Sequence, residues 1–185
     1  PCEGVGLVLR GRAALDCDGH QILGRPPTTS TTLKAGRTVG ILLDGANGAS
    51  VRRCRVTGFT YGIELNDAHQ SDVAASEVFR NGDFTARVGY GIHLSRAERN
   101  TIRDCKVHDN ADEGIHIGAG SDDNTVVGNE AWDNGRENFY ILTAHRNRLL
   151  RNQGRGSVSA NLYMKHATDN VIEGNRFAER AVVVR

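Results

Sequence analysis

The feature that most constrains this chain is a short pattern that returns four times without a gap across residues 91–177. It opens as Gly91-Ile92-His93-Leu94, then Gly114-Ile115-His116-Ile117, Asn138-Phe139-Tyr140-Ile141 and Asn161-Leu162-Tyr163-Met164, with leads 23, 24 and 23 residues apart. A second apolar position follows each lead at Ile102, Val126, Leu149 and Ile172. A third register runs through Cys105-x-Val107, Asn129-x-Ala131, Asn152-x-Gly154 and Asn175-x-Phe177. Self-similarity at this period means a stacked array in which each unit buries its apolar side against its neighbours.

The apolar residues alternate with polar ones, which is strand periodicity, and no unit holds ten or more residues at helical spacing. The fixed Leu-x-x-Leu-x-Leu core of a leucine-rich repeat is absent. What remains is a coil of short strands joined by tight turns: an all-β, right-handed parallel β-helix of about seven coils. Pairs such as Asn81-Gly82, Gly128-Asn129 and Gly174-Asn175 suit the turns because both residue types tolerate positive φ. Asn recurring at one register also predicts a ladder of stacked side chains.

Earlier leads occur at Gly6-Leu7-Val8-Leu9, Gly40-Ile41-Leu42-Leu43 and Gly62-Ile63-Glu64-Leu65, so residues 1–185 read as a single β-helix domain. Loop insertions near 25–37 and 81–90 break the period, each just before a Gly lead, and so are expected to project from one edge of the rod. Seven coils at the strand spacing predict a rod roughly 35 Å long. Lys and Arg total 23 against 22 Asp and Glu, a formal charge of +1. The basic residues are scattered one or two per coil, which argues against a nucleic-acid partner. No apolar stretch approaches a membrane span, and no signal peptide is visible in a chain that begins inside its first coil. Cys54 and Cys105 share a register two coils apart, too far to pair, and read as small buried core residues. Cys2 and Cys17 are either a disulfide across the first coil or two free thiols.

The outward residue of each lead forms a column in the stacked array: Val8, Leu42, Glu64, His93, His116, Tyr140, Tyr163. A second column reads Arg10, Asp44, Asn66, Ser95, Gly118, Leu142, Lys165, and Tyr90 stands just before Gly91. Tyr faces stack on pyranose rings, while His and Tyr remove and return protons. The expected catalytic group is therefore Tyr90, His93, His116 and Tyr140, with Glu64, Asn66, Ser95, Tyr163 and Lys165 contacting substrate. No metal site is expected. Cys-x-x-Cys and His-Glu-x-x-His spacings are absent, and only Glu64, Asp112 or Glu113 could support the two His. No cofactor is expected either, calcium being the one ion hinted at by a single nonapeptide-like Gly118-x-Gly120-x-Asp122.

Asn-rich coils with Gly-Ile-x-Leu leads, and the opening Leu15-Asp16-Cys17-Asp18-Gly19-His20 with Ile22 and Gly24, resemble the secreted parallel β-helix repeat proteins. That group includes NosD-like and carbohydrate-binding or sugar-hydrolase repeat domains. A narrower likeness runs through Tyr90-Gly91-Ile92-His93-Leu94-Ser95 and Arg103-Asp104-Cys105-Lys106-Val107-His108-Asp109-Asn110. It is similar to the mannuronan C5-epimerases, whose motif Tyr-Gly-Phe-Asp-Pro-His is followed by a coil containing His-Asp-Asn. Tyr90 matches the tyrosine, while His93, Leu94 and Ser95 stand at the aspartate, proline and histidine. The resemblance implies a secreted or periplasmic protein acting on a polysaccharide as a uronate lyase or C5-epimerase. The alternative is a non-catalytic carbohydrate-binding or accessory β-helix module of the NosD-like kind, for which a copper-handling role is disfavoured by the single Met and unpaired Cys.

Overall fold

The structure, a computed structural model, describes residues 4–25, 37–179 and 182–185. Among these the chain folds into short strands in three all-parallel sheets, a right-handed parallel β-helix. The first sheet has eight strands and the other two have seven each. Each of seven coils contributes one strand to each sheet in turn, and Val182–Val184 adds the eighth strand of the first sheet. In the coil that begins at Tyr90, these are Tyr90–Ser95, Thr101–Arg103 and Lys106–His108. The expected register is met residue for residue: Ile92 aligns with Ile63 and Ile115, and Ile102 with Val73 and Val126. Most of the first insertion, residues 26–36, lies outside the described residues, as does Cys2. The second forms a small turn closed by the bridge between Asp83 and Val88, with the Asp83 carboxylate accepting from the Thr85 and Ala86 amides.

The core is a column of stacked apolar layers. Ile41, Ile63, Ile92 and Ile115 from the first sheet meet Val51, Val73, Ile102 and Val126 from the second and Val56, Val78 and Val107 from the third, all essentially without solvent exposure. Each coil is too thin to bury these side chains alone, so apolar burial acts between coils.

Three Asn ladders run up the corners. At the first corner Asn124 Oδ1 accepts from the Asn100 amide at 2.9 Å, and Asn124 Nδ2 donates to the Ala97 carbonyl at 2.8 Å and to Asn147 Oδ1 at 3.1 Å. Asn129–Asn152–Asn175 and Asn81–Asn110–Asn134 repeat the scheme at the other two corners. Buried turn backbone cannot reach water, so the side-chain amide satisfies it in the coil below. The sequence expectation for the turns is corrected in one respect. Among the described residues no Asn has positive φ; that conformation falls mostly on Gly, Asp and Arg, for example Gly128 at 66° and Asp109 at 53°. Asn is placed for its amide, not for its backbone.

The cysteines also depart from expectation. Cys54 is not a free core thiol: it is disulfide-bonded to Cys17, with Cα atoms 4.8 Å apart. Cys54 occupies the corner register of Ser76 and Cys105, and Cys17 stands one position earlier at the same corner of the adjacent coil, following Asp16, which aligns with Arg52. The 25–37 insertion separates the bonded pair by 37 residues and conceals their shared corner in the sequence. Cys105 is buried and free, as expected, and burial pushes its thiol up to about 12.

Replacing Asn124 by Ala strips the Asn100 amide and the Ala97 carbonyl of their partners. The expected loss is about 3 kcal/mol, at about 1–3 kcal/mol per buried group left unpaired. Urea unfolding would measure it, beside an exposed control, Arg148→Ala, expected within about 0.5 kcal/mol of the parent. Equal stability of the two variants would contradict the ladder's role.

Candidate active-site groove

The outward face of the first sheet carries the expected column in order. His93 aligns with Glu64 and His116, His116 with Tyr140, and Tyr140 with Tyr163. A Cβ on Gly91 would strike Val107 Cγ1 at 2.5 Å, so Gly91 turns inward together with Ile92, and Tyr90 rises on the same face as His93. Tyr61 occupies the same position one coil earlier. The rings form one continuous cluster: Tyr90 lies 4.9 Å from His93 and 4.8 Å from His116, His93 5.1 Å from His116, and His116 5.0 Å from Tyr140, between centroids. The planes are tilted by 34° to 80°, and the rings are packed closely enough that His116 and Tyr140 are buried while His93 and Tyr90 keep part of their surface exposed.

Each imidazole is backed by a carboxylate, and each carboxylate by a guanidinium. Glu64 is fully buried; its Oε1 lies 3.2 Å from His93 Nδ1 and its Oε2 pairs with Arg37. One coil on, Glu113 is equally buried; its Oε2 lies 3.8 Å from His116 Nδ1 and its Oε1 3.1 Å from Arg136 Nη1. Both Nδ1 atoms thus face inward. The Nε2 atoms face a common point: a methyl placed on Gly118 would lie 3.4 Å from His93 Nε2 and 3.5 Å from His116 Nε2. Gly118 floors a notch between the two nitrogens, which these distances hold within about 7 Å of each other.

Charge beneath the groove is uneven. Around His93 one carboxylate meets one guanidinium. Around His116, Asp112 and Glu137 join Glu113, and Arg136 alone answers them, at 3.4 Å from Asp112 Oδ1 and 3.6 Å from Glu137 Oε2. Oxygens of all three carboxylates, and His116 Nδ1, are buried without a hydrogen bond. Burial, reinforced by Glu113, pushes the Asp112 carboxyl up to about 7, so it holds a proton near neutrality. Burial works against the Arg136 charge, but Glu113, Glu137 and Asp112 outweigh it and raise its pKa. Burial lowers His93 below its ordinary value despite the Glu64 bond, with the neighbouring His116 adding to the effect. Burial also raises Tyr61, Tyr90 and Tyr140, which keeps them as phenols.

The expected residues divide accordingly. Tyr90, His93, His116 and Tyr140 come together, and Tyr163 extends the row at 5.3 Å from Tyr140. Tyr140, Tyr163 and exposed Lys165 line a hollow of about 360 Å³ with Arg136 and Arg185. Glu64, expected as a substrate contact, has no exposed surface and lies behind His93, hydrogen-bonded to it. Asn66 accepts from Arg96 Nη2 at 2.9 Å and aligns with Ser95 at the groove margin. Among the described residues no group of three or more His, Cys, Asp or Glu is arranged to hold a metal ion. Asp122, of the nonapeptide-like stretch, pairs with Arg146 at 3.1 Å.

Sequence reasoning missed Arg37, Arg136, Tyr61 and Glu137. Tyr61, Tyr90, Glu113 and Glu137 all stand one residue before a lead, so extending the column of Tyr90 would have found two of the four, Tyr61 and Glu137. A second ring column, Phe79–His108–Trp132 on the third sheet, was also missed. Its planes lie within 10° and 6° of parallel and Arg155 covers the Trp132 face, so the rings spend their faces on one another.

A family model described as periplasmic copper-binding protein (NosD) matches residues 21–184. The chain belongs to the NosD family. A periplasmic location follows and suits the Cys17–Cys54 disulfide. No curated protein matches the sequence. Solved structures of similar fold include a mutant of the periplasmic alginate epimerase AlgG, with TM-score 0.59 and 19% identity over 85% of this chain and 40% of the other. The Dettilon tailspike protein gives 0.70 and 17% over 79% and 32%, and pectate lyase Pel9A 0.56 and 12% over 77% and 49%. This NosD-family chain thus spans about 40% of the length of the epimerase it resembles. Among the described residues, the donors do not fit the copper of the family description. Cys17 and Cys54 are bonded to each other, Cys105 is buried in the core, and Met164 packs inward against it. The imidazole pair offers two nitrogens and no third ligand.

A raised carboxyl pKa ties stability to pH. Asp112 retains its proton when folded up to about 7 but loses it near 3.8 when unfolded. Its contribution is present below the unfolded value and is lost as pH rises through 7. Asp112→Asn carries no charge to bury, so its melting temperature should gain on the parent's between pH 5 and pH 8. A difference constant across that range would contradict the assignment.

Proposed function

We propose that this protein acts on a uronate-containing polysaccharide in the groove of the first sheet, by lyase or C5-epimerase chemistry. The observation that carries the reading is the pair of carboxylate-backed imidazoles directing Nε2 at one point beside Gly118. Removal of the proton α to a uronate carboxyl needs a neutral base held at the substrate, and a His with a buried carboxylate on Nδ1 keeps its Nε2 lone pair free for that task. His93 is the base in this reading, and its lowered pKa keeps it neutral at periplasmic pH. Arg37 and Arg136 are each anchored on a buried Glu and half exposed toward the groove, where they neutralise substrate carboxylates. Tyr90 and Tyr140 supply protonated phenols beside the imidazoles.

Support for a polysaccharide comes from proteins of the same fold whose names specify such substrates, an alginate epimerase, a pectate lyase and an alginate lyase among them. Hydrolysis is disfavoured because it uses two carboxyl groups flanking the scissile bond, whereas Glu64, Glu113 and Glu137 are sealed beneath rings and guanidinia. A binding module is the second reading, favoured by the Tyr140, Tyr163, Lys165 and Arg185 hollow, which holds an acidic sugar without chemistry.

Incubation with a panel of uronate and neutral polysaccharides separates the two. Chemistry in the groove predicts ultraviolet absorbance from an unsaturated product, or a changed uronate ratio, lost about 10²–10⁴-fold in His93→Gln. Binding without turnover, abolished by Tyr140→Ala with Tyr163→Ala, would establish the module instead.

A further inference from the structure

The geometry points to a stereochemical outcome and, with it, a substrate configuration: we infer that the groove carries out syn elimination on uronates whose C5 hydrogen and C4 oxygen are cis. This deepens the function proposed above and rests on it. Tyr90, His93, His116 and Tyr140 all rise from the outward face of one sheet, and both Nε2 atoms meet the same point over Gly118. A sugar lying in the notch presents one face to every proton-transferring group among the described residues. Epimerisation needs a proton removed from one face of C5 and returned to the other. Anti elimination needs base and acid on opposite sides. One-sided placement serves neither; it serves removal of the C5 proton and protonation of the C4 oxygen from the same side.

The charge surroundings divide the labour. Both oxygens of Glu64 are engaged, one by Arg37 and one by His93, so His93 sits in a balanced environment and enters neutral. Beside His116, Glu113 and Glu137 face Arg136 alone, a local surplus of negative charge, and the step uses His116 as the acid. In the step, His93 Nε2 takes the C5 proton. The C5–H electron pair forms the C4–C5 double bond, the C4–O bond breaks, and the departing oxygen takes the Nε2 proton of His116. One chain begins with a 4,5-unsaturated uronate at its new non-reducing end, and the other ends in a free anomeric hydroxyl at C1, because the departing oxygen stays on the neighbouring sugar. Neither water nor a redox partner is consumed, and proton exchange between the two imidazoles, whose ring centroids lie 5.1 Å apart, restores the starting state.

Configuration then selects substrate. In D-mannuronate and D-glucuronate, C5–H and C4–O are cis; in L-guluronate and D-galacturonate they are trans. The test uses purified polymannuronate, glucuronan, polyguluronate and polygalacturonate, following ultraviolet absorbance and the uronate composition of the product. Unsaturated product from the first two, at least 100-fold above the other two and lost in both His93→Gln and His116→Gln, is expected. Circular dichroism of each variant confirms the fold. Comparable elimination on polyguluronate or polygalacturonate overturns the cis assignment while leaving a uronate lyase in place. Inversion at C5 without unsaturated product overturns it in favour of an epimerase. No change in any of the four polymers overturns the uronate reading itself, and the stereochemical inference with it.

Discussion

Everything in this molecule depends on stacking coils at one strand spacing. A single coil has no interior of its own, because its apolar side chains reach only the coil above and the coil below. Two interactions hold the stack: layered burial of Ile, Leu and Val, and Asn ladders that satisfy corner backbone where water cannot enter. Burial is non-directional and would tolerate slippage, whereas the ladders fix register, since each Asn must meet an amide in the neighbouring coil. At the second corner the same register holds Cys54, Ser76 and Cys105 before Asn takes over, with Cys17 one position earlier in the first coil. There a disulfide and a Ser hydroxyl act where the amide otherwise would.

Register is also what makes the groove. Side chains far apart in sequence become neighbours at a separation the backbone dictates, so a coil that places His over Glu places it at hydrogen-bonding range without further adjustment. The next coil repeats the motif with Glu113 displaced by one column and reaching His116 from the flank. Two dyads therefore stand side by side: His93 is hydrogen-bonded to its carboxylate at 3.2 Å, whereas His116 lies 3.8 Å from its own, amid more negative charge. In the elimination proposed above, that difference would separate base from acid in adjacent, chemically identical rings. Gly118 completes the arrangement by omission, since any side chain there would occupy the space both imidazoles face.

The fold was legible because its signal is repeated: each lead, each second-sheet apolar position and each corner Asn is stated several times in the sequence. The outward column was legible for the same reason, and Tyr90, His93, His116, Tyr140 and Tyr163 stand where register puts them. What stayed hidden was whatever the repeat does not state. The Cys17–Cys54 pair spans the insertion that interrupts the period. Arg37 approaches from the end of that same insertion to reach Glu64. Arg136 enters from a turn, and its partners Asp112, Glu113 and Glu137 are recognisable as a cluster only once their burial is known. Glu64 was read as exposed because it alternates with Ile63 and Leu65. Arg37 and His93 close over it, which periodicity alone does not convey.

The central claim is that buried carboxylates turn both Nδ1 atoms inward and leave both Nε2 atoms to the groove. Long-range proton–nitrogen correlation spectra of the imidazoles test this directly, because the shift of each ring nitrogen reports whether it carries a proton. Near neutral pH the account predicts His93 as the Nδ1–H tautomer with a bare Nε2, a pattern that disappears in Glu64→Gln. A His93 ring protonated on Nε2, unchanged by that substitution, would contradict it.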